Sequence, residues 1–147
     1  MQRILGLALI ATAAALTAAQ PAAAQTAPAK PCVAGPWMVF FDSDKDVLTP
    51  SGRAILDNVA ATYQQTGTAE VMLAGNADRS GPSGYNVGLS QRRADAVKAY
   101  LAGRGVPDGA MSTAAFGEDR PLVETADGVR EPQNRNVQIT FGPGSGN

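Results

Sequence analysis

Asp78 and Arg93 carry the two charges whose positions point most directly to chemistry. Arg93 falls within about 40° of both Leu89 and Val97 on a helical wheel, inside an apolar stripe completed by Ala94 and Leu101, whereas Arg92 falls outside it. A guanidinium in such a stripe must be paired and hydrogen-bonded, since a buried charge stripped of its partner costs about 3–5 kcal/mol. Asp78 lies in the breaker-rich stretch that feeds the same helix, near the end where Arg93 sits, so its carboxylate can fold back toward the guanidinium. Two readings fit. The two side chains can bond to each other and tie loop to helix. They can instead face a common hollow, the carboxylate holding an ammonium and the planar Arg fork a carboxylate, which together describe the head group of an amino acid. Helix amides near Asn86 add positive partial charge at that end.

Composition removes several competing chemistries. The 147 residues include no histidine, so imidazole-dependent nucleophilic catalysis and His-ligated zinc are excluded. A single cysteine, Cys32, cannot close an intrachain disulfide or build a thiolate cage. Twelve Lys and Arg against thirteen Asp and Glu leave a formal charge of −1, too little positive field for nucleic acid. Asp42, Asp44 and Asp46 alternate as calcium ligands do, but the glycine and the bidentate Glu of a calcium loop do not follow, so they read as a solvated loop. No metal and no cofactor are expected.

The elements that must hold Asp78 and Arg93 can be read from periodicity. Trp37 to Phe41 is a short apolar, aromatic run, expected as a strand buried on both faces. Thr49-Pro50 predicts an N-cap and first helical position for an amphipathic helix carrying Ile55, Leu56, Val59 and Tyr63 and ending at Gly67. Residues 69–74 form a second apolar strand, and 76–84 a loop broken by Gly81, Pro82 and Gly84. Asn86 is expected to cap the next helix, which Gly103 and Gly105 close. Met111 to Phe116 predicts a third strand, 117–132 a polar connection with an Asp127-Gly128 turn, and Val137 to Phe141 a last strand. The order βαβαββ, with helix-length crossovers, implies an α+β two-layer sandwich: a mixed four-stranded sheet with two helices on one face.

The motifs on these elements resemble the OmpA-like C-terminal domain. They are Phe40-Phe41-Asp42 with Leu48-Thr49, Gly75 through Gly81, Tyr85-Asn86 with Leu89 through Ala94, Gly117-Glu118, and Asn134 through Val137, and the resemblance spans about residues 36–142. It implies non-catalytic binding of peptidoglycan through the diaminopimelate of the stem peptide, whose free amino acid centre is held by an Asp and an Arg matching Asp78 and Arg93. Asn86 matches a position at the pocket edge, where its role as a helix cap competes with ligand contact. Arg135, with Asn134, matches the start of an Asn-Arg-Arg motif beside the pocket, and either braces the loop or touches the ligand. Asp42 ends the first strand, where a turn role competes with an edge contact. The family's Gly-His-Thr-Asp is here Gly75-Asn76-Ala77-Asp78, and Asn136 stands for the second arginine of the late motif, which implies weaker support for the pocket.

Residues 1–25 have a basic start, an apolar run from Ile4 to Leu16 and a small-residue exit at Ala22 to Ala24, the pattern of a cleaved secretory signal. Residues 26–35 read as a flexible Ala/Pro leader containing Cys32, and 143–147 as a disordered tail. Cys32 follows Ala-Lys-Pro rather than this apolar run, which speaks against lipidation, and no membrane barrel is expected ahead of the domain. The expected compartment is the periplasm or cell envelope, with outer-membrane association and oligomeric state left open. Two further function classes compete with wall binding: a structural partner of another envelope protein, and a cell-wall hydrolase.

Overall fold

The computed structural model describes residues 36–66 and 70–142. The signal segment, the leader with Cys32 and the tail lie outside the described residues. Thr49 accepts the Gly52 backbone N–H at 3.1 Å through its hydroxyl, and Pro50 opens the helix α1 (Pro50–Thr66), as the Thr-Pro pair predicts. Leu56, Val59, Ala60 and Tyr63 form its buried stripe. The second helix, α2 (Ser83–Gly103), buries Leu89, Arg93, Ala94, Val97 and Leu101.

These helices cover one four-stranded sheet. The strands are β1 (Trp37–Phe40), β2 (Val71–Gly75), β3 (Met111–Ala115) and β4 (Asn136–Phe141), in the spatial order β1-β4-β2-β3. β2 and β3 run parallel, and β4 lies antiparallel to both of its neighbours, β1 and β2. The mixed βαβαββ sheet predicted from crossover lengths is therefore the observed one. Register explains the core: Val71, Leu73 and Gly75 face Phe141, Ile139 and Val137 across the β2–β4 ladder, and Val39 faces Val137 across β1–β4. All of these apolar side chains are buried and pack against Leu56, Val59, Val97 and Leu101 of the helices.

Three expectations need correction. The first strand is not buried on both faces: among the described residues β1 is an edge strand that pairs with β4 alone, so Val39 points inward while Phe40 is 44% exposed on the uncovered face. The alternation expected of a half-covered sheet replaces the continuous burial that the aromatic run implied. Helix α2 begins at Ser83 rather than beyond Asn86, because Pro82 supplies the extended residue ahead of the first turn. Asn86 therefore lies inside the helix and is not its cap. Strand limits also shift, with Gly75 ending β2 and Asn136 opening β4.

Candidate functional site

The site is built where the C-terminal ends of β1 and β2 meet the start of α2. Gly75 ends β2 because α2 crosses so closely that a Cβ there would stand 2.1 Å from the Ser90 carbonyl oxygen. The chain then turns through residues 76–82. In that turn Asp78 accepts from the Ser80 backbone N–H (3.3 Å) and hydroxyl (2.5 Å), an Asx turn of the kind that Asp-x-Ser-Gly favours. Its other oxygen, Oδ2, accepts from the Glu131 backbone N–H at 3.2 Å and from Arg135 Nη1 at 3.0 Å. Burial opposes the charged form, but the Ser80 hydroxyl, Arg135 and the two backbone N–H groups together hold the carboxyl below the usual aspartate range. Asp78 is an ionised carboxylate at neutral pH.

Arg93 does not bond to Asp78. Its Nε donates to the Lys45 carbonyl (2.9 Å), Nη1 to the Asn76 carbonyl (3.1 Å) and Nη2 to the Asp42 carbonyl (3.1 Å), and the guanidinium lies 5.4 Å from the centre of the Phe41 ring. It has no exposed surface and is the largest fully buried side chain. Burial pushes its pKa down to about 10, with the Asp78 charge opposing that fall, so it stays cationic at neutral pH. The charge in the apolar stripe is thus satisfied by carbonyls gathered from the loop after β1 and the end of β2, an arrangement that spacing within one helix does not reveal.

Asn86 and Arg135 complete the frame. Asn86 Nδ2 lies 3.0 Å from the Asp78 carbonyl, 3.1 Å from that of Gly81 and 2.7 Å from Glu118 Oε2, so it closes the 78–86 turn and joins it to the loop after β3. Arg135 bonds to Asp78 and, through Nε, to the Phe41 carbonyl at 3.1 Å. Its bracing contacts are those expected of a loop tie. The connection from Gly117 to Pro132 is held against the turn by Arg79, which donates to the Thr125 carbonyl (2.9 Å), accepts from the Gly128 N–H (2.6 Å) and lies 3.7 Å from Asp127.

Between turn and connection opens a cleft of about 500 Å³. Asp78 and Asn86 line it, with Ser43, Asp44, Ser80, Gly81, Pro82, Tyr85, Leu89 and Arg130. The Tyr85 hydroxyl donates to Asp44 across its mouth. Neither Arg93, which is fully buried, nor Arg135, which lines a second hollow of about 410 Å³ with Phe40, Phe41 and Gln133, is among the lining residues. The cleft thus presents an ionised carboxylate beside a partly apolar wall. No group of three His, Cys, Asp or Glu among the described residues can hold a metal ion. Asp42 makes its turn contact, receiving the Lys45 N–H on its carbonyl at 3.3 Å.

A family model described as the OmpA family matches residues 40–135, which include every residue of this frame. The chain belongs to the OmpA family. Within that family it is 42% identical over 103 residues to a peptidoglycan-associated lipoprotein of Haemophilus influenzae, covering 70% of this chain and 67% of the lipoprotein. It is 44% identical over 115 residues to an outer membrane protein of Gluconacetobacter diazotrophicus, covering 74% of this chain but only 30% of that protein. Among solved structures, the peptidoglycan-associated lipoprotein from Burkholderia pseudomallei superposes with a TM-score of 0.66 at 30% identity, covering 71% of this chain and 88% of that one. The chain therefore shares one domain with its larger OmpA-family relatives rather than their full length.

Sequence reasoning missed several groups that shape this OmpA-family site. The Asx turn through Ser80 has a readable signal in Asp78-Arg79-Ser80-Gly81. The place of Arg130 on the cleft and the Asn86–Glu118 and Tyr85–Asp44 contacts have none, because each depends on segments far apart in the chain meeting in the fold.

Proposed function

We propose that this chain is an exported cell-envelope protein that binds peptidoglycan non-covalently through the diaminopimelate of the stem peptide. The names of its relatives, peptidoglycan-associated lipoproteins and outer membrane proteins, support the wall and the envelope as its setting. The observation that carries the reading is Asp78, an ionised carboxylate on the cleft whose bonds to Ser80, Glu131 and Arg135 fix it in place. Such a group receives an ammonium through charge-assisted hydrogen bonds. Arg93, buried and near enough to Asp78 to feel its charge, supplies the positive field that draws the accompanying carboxylate, while Asn86 and Arg135 hold the turn and Asp78 in register. The protein acts as a ligand of the wall and turns nothing over.

The test is co-sedimentation of the full chain with purified sacculi. The wild type is expected in the pellet and Asp78→Asn in the supernatant, with no soluble glycan or peptide fragments released on prolonged incubation. Equal pelleting of wild type and Asp78→Asn overturns the site, and steady release of fragments overturns the non-enzymatic reading.

A further inference from the structure

The hollow of about 410 Å³ that Arg135 lines shares no lining residue with the cleft around Asp78. It lies where the end of β1, the start of α1 and the turn ahead of β4 meet, and its volume falls within the roughly 300–1,000 Å³ of small-ligand sites. Phe40 and Pro132, both exposed, give it an apolar surface. Phe40 stands outside the hydrophobic core, so packing within the domain does not account for an aromatic side chain there. Around it stand polar groups with bonding capacity to spare. The Gln133 side-chain amide bonds to nothing among the described residues, and the Ser51 hydroxyl meets only that of Thr49, at 3.1 Å. Arg135 spends Nε on the Phe41 carbonyl and Nη1 on Asp78, and keeps Nη2. The charges that line the hollow, Asp42 and Arg135, are of opposite sign, and each has a partner already, Lys45 at 3.7 Å and Asp78 at 3.0 Å.

An apolar surface rimmed by donors and acceptors, with no net charge, suits a sugar ring. The C–H face of the sugar lies on the negative face of an aromatic ring, while its hydroxyl and acetamido groups bond to the rim. We infer that this hollow receives a hexosamine ring of the peptidoglycan glycan strand, stacked on Phe40 and hydrogen-bonded to Gln133, Ser51 and Arg135. This rests on the proposed reading that the chain binds peptidoglycan, and it adds the carbohydrate to what is recognised. Continuity favours the glycan as occupant. The Arg135–Asp78 pair links hollow to cleft, and the three residues of a stem peptide reach about 10 Å from the sugar that bears them. One wall fragment then fills both.

Calorimetric titration of the full chain with two probes tests this: the alanyl-glutamyl-diaminopimelate tripeptide of the stem, and the same tripeptide carried on its N-acetylglucosamine–N-acetylmuramic acid disaccharide. The wild type is expected to bind the disaccharide form about tenfold more tightly, the scale of one aromatic contact with its hydrogen bonds. Phe40→Ala removes that preference and leaves the affinity for the bare tripeptide within about twofold of wild type. Phe40→Tyr, which keeps the ring, keeps the preference. Gln133→Ala, on an exposed turn, loses part of it, and decides the matter alone if Phe40→Ala does not give a wild-type circular dichroism spectrum. Three results overturn the sugar site and leave the Asp78 reading standing: equal wild-type affinity for both probes, full preference retained in the deciding variant, or an equal loss on both probes in that variant. Wild type binding neither probe overturns both.

Discussion

The side-chain amide of Asn76 donates to Asn136 Oδ1 across 3.0 Å, and both residues are buried. These are two of the three positions at which the chain departs from the motifs it resembles, a histidine in one case and an arginine in the other; the third is Ala77. Asn76 and Asn136 meet each other, so their two departures form one contact. Asn136 is oriented by its own donation to the Gln133 carbonyl at 2.7 Å, and the Asn76 backbone N–H reaches the Asn136 carbonyl at 2.8 Å. An uncharged amide pair thus ties the end of β2 to the start of β4, directly beside Arg135 and the carbonyl that receives Arg93.

This pair is coupled, with unequal halves. Asn136→Ala leaves the Asn76 amide with only the Ala74 carbonyl at 3.3 Å and strands the Gln133 carbonyl, so it is expected to cost about 2–3 kcal/mol. Asn76→Ala strands Asn136 Oδ1 but also removes Asn76 Oδ1, a buried acceptor without a partner among the described residues, and is expected to cost about 1 kcal/mol. Urea denaturation of both single variants and the double variant checks this. A coupling energy near zero would contradict the pairing.

Arg93 holds the fold before it holds anything else. Arg93→Met keeps the volume but takes the side-chain donor from the carbonyls of Asp42, Lys45 and Asn76, leaving that of Asp42 with only the Lys45 N–H, and removes the contact with Phe41. The expected loss is about 3–5 kcal/mol by chemical denaturation, a large share of a small domain's stability. Arg93→Lys recovers only part of it, because a single ammonium cannot span three carbonyls set around a planar fork. Loss of wall binding in either variant is therefore read only alongside its unfolding curve.

Much of this was legible in the residues. Thr49-Pro50 announced α1 because a cap and a preset φ act locally, and Arg93 stood out because the wheel placed a charge among Leu89, Ala94 and Val97. Asn86 was misread as a cap because a polar side chain ahead of an apolar stripe has the same local appearance whether it caps the helix or, as here, ties its first turn to Glu118. The partner of Asp78 was out of reach: Arg135 lies 57 residues away, and only the β1-β4-β2 strand order brings it to the turn. Local chemistry specified the elements, and tertiary pairing decided which charges meet.

Gly75→Ala tests the close approach of sheet and helix. Its Cβ would stand 2.1 Å from the Ser90 oxygen and 2.8 Å from the Ser90 carbonyl carbon, both backbone atoms that no rotamer change can withdraw. Helix α2 would have to move, and the expected destabilisation is about 3 kcal/mol or more by thermal or urea unfolding. A near-neutral result would place α2 farther from β2 than described.

Asp78 makes stability depend on pH in a direction that can be worked out. Its folded pKa lies below the unfolded value of about 3.9, because the Ser80 hydroxyl, Arg135 and the Ser80 and Glu131 N–H groups outweigh burial. Between those two values the unfolded chain binds the proton and the folded chain does not, so stability rises with pH across that interval. The contribution is complete above about pH 5 and is lost as pH falls through the folded pKa. Asp78→Asn cannot titrate, and it also replaces the charge-assisted bond from Arg135 with a neutral one while its amide N–H₂ stands among groups that are themselves donors. At pH 7 the variant is expected to be less stable than the wild type by about 2–3 kcal/mol. Urea midpoints measured from pH 7 down to pH 3 should show that gap narrowing as the wild-type carboxylate protonates. A gap that stays constant over the whole range would mean that Asp78 titrates alike in the folded and unfolded chains, contrary to its bonds with Ser80, Glu131 and Arg135.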